Sequence, residues 1–540
     1  MRKIYLIFAM SFAFLMGCNP DGENPSSQQN ILISTDELAL NARVSLDGAG
    51  VIGILDPNVA SGRTAEVANA IPMILVAQVE APRENGKTLK ATHVDISGDY
   101  AFVGYNLEGE EYLGAVEIYD ISVLTKPKIT SQAIFKNADI SSLEIVNGKL
   151  YIAAAFDVDA EPGISSPAQL VTVNVANGKF TSDFVKSQLE GFVATSVSKT
   201  NNHVAVTSGS NGVVALFDND QKKIAELAIS DLRATKYGNN VLAVLSGTEG
   251  IQILNAENLS PINKIATVQD VPQAKRTLDM GPDVLFAAEG SNGAGMYKLP
   301  SGELIKKFPI AMKPEGLASD EIVTNAISFD SNLLFMANGG AGLGLMDLTD
   351  LDNIVSLGVV DLSGSSNFVK YHNGHLFVAT GAGGLQILEL SKVQEIPLPG
   401  ISCENVTPYT GNANLNVNSN DNFRYSGSAS FQNVNIGGNL LFCGSMAVQN
   451  NMNLNSNGVF EMNGTFAFGQ YQKNNTLSIN SNAVLRISGS AVFYGDLNLN
   501  SGATIEFVGS GNSITIYGQV RKGNNVTITG NFTDTEGKLK

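Results

Sequence analysis

Few residues in this chain combine a type and a spacing that chemistry needs. Asp157, Asp159 and Glu161 alternate ahead of Pro162-Gly163. Three hard oxygen donors in that rhythm suit a calcium ion, although the loop lacks the glycine and distal glutamate of an EF-hand and reads equally as a solvated acidic turn. His372 and His375 flank the turn Asn373-Gly374, and His203 holds the repeat position of His375. Two imidazoles leave a metal short of a third ligand, and none is found nearby. The tracts Gly209–Gly212 and Gly339–Gly344 lie between apolar runs instead of ahead of a helix, which argues against phosphate cradling. Glu461, Asp496 and Glu506 are scattered single carboxylates, and no Ser-His-Asp set can be assembled. No catalytic residue and no metal site is assigned.

The elements that must position these residues are easier to read. A length of 540 residues predicts two or three domains. A net charge of −17 excludes a nucleic-acid partner, and the absence of Trp excludes propellers built on Trp-Asp repeats. From about Thr92 to Val393 a strand pattern recurs seven times, and its second and third strands show it best. Tyr100–Gly104 goes with Gly114–Asp120, Leu150–Ala154 with Gln169–Val173, and Val204–Thr207 with Gly212–Asp218. The period is about 46 residues, the size of a propeller blade. Outer strands often begin with proline, as at Pro127 and Pro261. The seventh copy lacks one, and Pro72–Val79 is an orphan strand of matching character. Pairing the two closes the ring and removes both free edges. Gly50–Asp56 resembles a third strand, placed either in that closing blade or in a partial eighth. The expectation is an all-β, seven-bladed β-propeller over residues 43–396, with closing strands drawn from 43–80.

Loops of a propeller converge on one face, so candidate ligand residues are taken from there. The loops after the second strands supply Ser208, Asn211, Glu249, Glu289, Asn292, Asn338 and Thr380. The segments leading into the blades supply Lys90, His93, Arg276 and Lys370. Segments such as Gly114-Ala-Val-Glu-Ile-Tyr-Asp-Ile-Ser and Gly344-Leu-Met-Asp-Leu-Thr-Asp resemble LVIVD repeats, found in bacterial and archaeal cell-surface propellers. The resemblance covers about 300 residues and is degenerate, with Asn255 and Glu389 standing where the family has Asp. It implies a surface-protein propeller and carries over no catalytic residue.

After a linker at 397–402 the composition changes. Residues 403–540 hold 26 Asn and balance seven acids with seven bases, so the whole net charge belongs to the first 402 residues. Gly427, Gly444, Gly464, Gly489, Gly509 and Gly530 each end a short alternating strand, at spacings of 17, 20, 25, 20 and 21. Such a ladder predicts a β-solenoid with coils stacked about 4.8 Å apart, and its resemblance to right-handed parallel β-helices implies that hand. Asn418, Asn455, Asn480 and Asn500 should then share one column. Cys403 and Cys443 lie two coils apart, roughly 9.6 Å in one column and beyond the ~7 Å reach of a disulfide. A bridge forms only if Cys403 belongs to a cap that folds back. The coils resemble those of right-handed β-helices, some of which are polysaccharide lyases or hydrolases.

At the N-terminus, Arg2 and Lys3 precede an apolar run, Ile4–Met16, too short to span a bilayer as a stable helix. The ending Leu15-Met16-Gly17-Cys18 resembles the lipobox of bacterial lipoproteins. That resemblance implies a signal peptide over 1–17 and a lipid-modified, palmitate-bearing Cys18, followed by a flexible tether over 18–42. The resulting expectation is a non-enzymatic outer-membrane lipoprotein, exposed at the cell surface, that binds protein or polysaccharide and uses no cofactor apart from structural Ca²⁺. Two alternatives stand beside it: a carbohydrate-active enzyme (a polysaccharide lyase or glycoside hydrolase) and a periplasmic assembly factor.

Overall fold

The computed structural model describes residues 30–55, 71–267, 274–311, 314, 316–390 and 400–540. The segment 1–17, Cys18 and residues 397–399 of the linker lie outside the described residues. None of the described helices is long and apolar enough to cross a membrane. The architecture is all-β, a seven-bladed propeller followed by a right-handed parallel solenoid.

Each blade is an antiparallel sheet of four main strands. Blade one runs from Lys90–Ser97 at the centre through Tyr100–Asn106 and Gly114–Asp120 to Lys128–Phe135 outside. Six further sheets repeat the plan, and their middle strands are apolar on both faces because each blade is covered by its two neighbours. Lys149–Phe156 in blade two is buried at every position after Lys149. Blade seven takes its inner three strands from Phe368–His372, His375–Ala379 and Leu385–Leu390, and its outer strand is Met73–Val79, paired antiparallel to Leu385–Leu390. The orphan strand closes the ring.

Two expectations change at the outer rim. Residues 30–42, read as part of a tether, are ordered structure. Ile31–Ser34 adds a fifth strand to blade one by pairing with Gln132–Phe135, and Asp36 caps a short helix, Glu37–Asn41. Ile31 is buried while Leu32 and Ile33 stay exposed, and the added strand satisfies the outer edge of that blade. Gly50–Leu55 joins the closing blade, one of its two expected placements, but as short outer-edge strands instead of a third strand, and it starts no eighth blade. Gly50–Ile52 pairs with Met73–Leu75 on blade seven, and Ile54–Leu55 pairs with Val359–Val360 on blade six. This one segment therefore ties the outer edges of two blades together.

The solenoid has three parallel faces. One contains Asn439–Cys443, Val459–Asn463 and Val484–Ser488 in register. A second contains Ser445–Val448, Thr465–Phe468 and Ser490–Phe493. The third contains Met452–Leu454, Thr476–Ile479 and Asp496–Leu499. Alternate side chains fill a core of Phe442, Phe460, Phe466, Phe468, Phe493 and aliphatic neighbours. The glycine ladder marks the corner between the first two faces: Gly444, Gly464 and Gly489 have φ near +130°, and a methyl group on Gly464 would meet the Gly444 carbonyl oxygen at 2.0 Å. The asparagine column forms in part. Asn500 donates to Asn480 at 2.6 Å, whereas Asn455 pairs with Asn435 and Asn418 with Asp421.

Cys403 and Cys443 are joined by a disulfide with Cα atoms 6.0 Å apart. The chain arriving at the solenoid runs along the outside of the stack, across the column Ser488, Asn463, Cys443, Ser426. Asn463 donates to the Ile401 carbonyl at 2.7 Å, and Arg424 holds the carbonyls of Ser402 and Glu404. Cys403 thus approaches Cys443 from the flank, and the two-coil separation within a column does not apply.

The solenoid docks against the propeller rim. Val51 donates to the Gly469 carbonyl at 2.9 Å, Tyr471 to the Ala49 carbonyl at 2.7 Å, and the Gln470 side chain to the Val51 carbonyl at 2.9 Å. Ala447, Ala467 and Tyr494 join the core cluster of blades six, seven and one. Gly50 has φ +133°, and a Cβ there would lie 2.3 Å from the Gly469 oxygen. We expect Gly50→Ala to separate the two domains while each keeps its sheet content. Small-angle scattering would show a larger radius of gyration with unchanged far-ultraviolet circular dichroism; an unchanged radius would reject this view of the junction.

Candidate functional site

The innermost strands present one residue per blade to the central channel, two positions before each hairpin. These are Asp95, Glu144, Ser198, Lys236, Asp279, Ser328 and Lys370. The oxygen-bearing members reach into the next blade. Asp95 accepts from the Ile145 N–H at 2.9 Å, Glu144 from Lys199 at 2.8 Å and Ser198 from Tyr237 at 3.1 Å. Asp279 accepts from Phe329 at 2.9 Å and Ser328 from Tyr371 at 3.1 Å. A lysine cannot accept. At those two places the ammonium instead reaches forward to the next blade's acid: Lys236 to Asp279 at 3.7 Å and Lys370 to Asp95 at 3.1 Å. The Asp95 charge, outweighing burial, holds the Lys370 ammonium well above the usual lysine range. Burial pushes the Glu144 carboxyl up, and only nearby lysines and the Lys199 amide oppose it.

One turn toward the face bearing the second-strand loops, Lys275 crosses the channel. Its Nζ donates to the carbonyls of Thr92 at 2.9 Å and Ser141 at 2.6 Å, and lies 3.3 Å from His93 Nδ1 and 5.5 Å from the Phe368 ring centre. His93 packs on Phe368 with ring centroids 4.0 Å apart. Burial, followed by the charges of Lys275, Lys370 and Lys236, holds His93 well below its ordinary value. Burial alone brings Lys275 down to about 7. The channel is therefore stitched across by its own side chains, which leave a pocket of only about 80 Å³ between His93, Asp95, Glu144, Lys236 and Lys370.

The eleven candidate ligand residues do not converge. His93 and Lys370 meet in the channel wall. Lys90 pairs with Glu108 at the rim, and Glu249 with Lys264 at 3.1 Å. Ser208, Asn338 and Thr380 are buried; Ser208 accepts from Val213 at 2.9 Å and Thr380 donates to Gly384 at 3.1 Å within their own turns, while Asn338 accepts from the Thr324 hydroxyl at 2.7 Å. Arg276 is buried and donates to the Ala288 carbonyl at 3.2 Å. Glu289 is fully buried against Tyr297 and Lys307. Asn211 and Asn292 sit at exposed turn tips. The proposed calcium loop does not gather its ligands either: Glu161 turns inward to Lys186 and accepts from Asn137 at 3.0 Å, away from Asp157 and Asp159. Among the described residues no three His, Cys, Asp or Glu side chains group to hold a metal. Sequence reasoning missed the channel ring, although a repeat alignment anchored on the hairpins contains it.

A different concavity remains open where the two domains meet. A cleft of about 210 Å³ lies between Ile74, Lys126 and Glu389 of the propeller rim and Ser490, Tyr494 and Thr515 of the solenoid, with Tyr517 and Glu536 at its side. Tyr494 and Tyr517 stack with centroids 5.1 Å apart, and Lys126 pairs with Glu536 at 2.9 Å.

No protein-family model matches the chain, and no curated protein matches it. Solved propellers are similar in outline. The WD40 repeats of RRP9 are 10% identical with a TM-score of 0.45, covering 61% of this chain and 99% of that one. The Neurospora crassa Pan2 WD40 domain is 10% identical with a TM-score of 0.41, covering 56% and 89%. A computationally designed protein, Ika8, is 11% identical with a TM-score of 0.39, covering 63% and 99%. Likeness at this level carries nothing about function, and the blade count rests on the strand pairing. The chain is a two-domain β-propeller and β-solenoid scaffold.

Two outcomes follow for the channel. Asp95→Ala strands the Lys370 ammonium and the Ile145 amide, which should cost about 3–5 kcal/mol in chemical denaturation; adding Lys370→Met should restore part of it, and additive losses would refute the coupling. Lys275 titrates near 7 when folded and at about 10.4 when unfolded. The unfolded chain binds the extra proton between those values, so this group's contribution is least favourable below pH 7 and improves as pH rises to 10. Relative to Lys275→Met, the parent should gain a few kcal/mol of stability between pH 7 and 10. A difference that stays flat with pH would contradict it.

Proposed function

We propose that this chain is a lipid-anchored binding scaffold of the bacterial cell envelope, held to the outer membrane through Cys18 and turned toward the cell exterior. Its partner is a protein or a glycan met by outer surfaces instead of the channel. The observation that carries the reading is the Cys403–Cys443 disulfide. Such bridges persist in oxidising compartments, and here one occurs in a chain whose first 18 residues read as a lipoprotein leader. The LVIVD resemblance of the blades points the same way. The stitched channel supports recognition elsewhere, because opening it would break ion pairs and inter-blade hydrogen bonds together.

The test is protease accessibility on intact cells, with a periplasmic protein as control, beside a Cys18→Ala variant. Cleavage on intact cells, and release of the variant from the membrane fraction, are expected. Protection until the outer membrane is opened would remove the surface placement. A variant that stays with the membrane would remove the anchor.

A further inference from the structure

The outward column Ala447, Ala467, Val492, Thr515 runs along the solenoid face that meets the propeller. Thr535, bonded through its N–H to Ile514, follows on the next coil. Ala447, Ala467 and Val492 pack on the propeller core. The column changes to hydroxyls where the propeller surface recedes and the cleft opens. A parallel row reads Ser445, Thr465, Ser490, Ser513, so hydroxyls recur at each coil, about 4.8 Å apart. The Tyr494 ring is only 2% exposed, and its hydroxyl, on the cleft, makes no hydrogen bond among the described residues. The Glu389 carboxylate, also on the cleft, has neither a hydrogen bond nor an ion pair among those residues. Tyr494 is a buried side chain whose hydroxyl opens on the cleft, and Glu389 is a half-buried carboxylate on the opposite wall, so both are open to a ligand that enters there.

We propose that this inter-domain cleft binds one neutral sugar ring, as the end of a glycan. Glu389 accepts from sugar hydroxyls, the Tyr494, Ser490 and Thr515 hydroxyls donate or accept, and Tyr517 offers an aromatic side to the ring's C–H groups. A volume of about 210 Å³ is below the roughly 300 Å³ at which drug-sized pockets begin, which fits a single ring and excludes a long stretch of chain. Among the described lining residues the one cation, Lys126, is already paired with Glu536, and Glu389 adds negative charge, so a phosphate or carboxylate ligand is disfavoured. A peptide strand would need a free sheet edge; the strands carrying Ser490 and Asn512–Ile514 are paired above and below, and only the terminal strand Phe532–Asp534 keeps one side open.

The inference rests on the reading of the chain as a binding module and names a site and ligand class for it. The experiment is saturation-transfer NMR on the purified full chain with the methyl glycosides of glucose, galactose, mannose and N-acetylglucosamine. Saturable transfer to at least one glycoside is expected. Tyr517→Ala, Glu389→Gln and the near-isosteric Thr515→Val should each weaken it tenfold or more, while Asn292→Ala on the propeller face leaves it unchanged. Transfer to none of the four, or binding indifferent to Glu389→Gln and Thr515→Val in folded protein, would overturn the site. So would a peptide ligand competing for the cleft without any glycoside binding. A chain blind to all four glycosides yet cleaved on intact cells would lose the sugar site alone and keep the broader reading.

Discussion

The pairing of Met73–Val79 with Leu385–Leu390 is the contact on which the rest depends. A propeller is a ring of sheets, and each sheet's faces are covered only if the ring is complete. Closing it with a strand from the start of the chain makes the first and last blades one cooperative unit, because blade seven cannot form until both ends of the repeat array are present. The closure also brings Gly50–Leu55 to the rim, where the same short segment pairs with blade seven, blade six and the solenoid corner. The solenoid's seat is thus a consequence of how the ring is locked.

The channel shows how the closed ring is held at its centre. Seven inner strands diverge from the axis, and a backbone N–H of each would face the channel without a partner. Five side-chain oxygens satisfy the neighbouring blade's N–H groups. The two lysines, which lack an acceptor, give their charge to Asp279 and Asp95, and both of those acids already bind a backbone amide. Buried carboxylates elsewhere are treated alike: Glu117 meets Arg43, Tyr119 and Gln132, and Glu289 meets Tyr297 and Lys307. In each case a potentially reactive group is already committed to holding strands together.

Legibility in the sequence followed the physics of each element. Middle blade strands such as Leu150–Ala154 are apolar on both faces, and the solenoid alternates strictly, so both repeats were readable. The orphan Pro72–Val79 was readable because an unpaired apolar strand requires an edge. Inner strands carry mixed residues facing a narrow channel, and residues such as Lys275 matter only through partners from blades one and two, 134 to 183 positions away. The fold-back of Cys403 is not legible in the sequence, since it depends on Arg424, Asn463 and Cys443 lining up on successive coils. Polar residues in loops looked like ligand groups, yet Ser208 and Thr380 are consumed by the turns that contain them and Asn338 by the Thr324 hydroxyl.

Recognition by this molecule is a matter of what the fold leaves unspent. In the propeller, polar side chains at the centre are spent on joining blades and those in the loops on closing turns. In the solenoid, the Ala447–Ala467–Val492 column is spent on docking. Past Val492 the same column carries hydroxyls, and the propeller rim opposite carries Glu389, which makes no hydrogen bond or ion pair among the described residues and acts on Tyr494 only through its charge. Neither domain alone makes that cleft, since one wall is the edge of blades one and seven and the other a solenoid face. The rigidity bought by ring closure therefore has a direct bearing on recognition: it fixes the distance between two walls that a flexible linker would leave to chance.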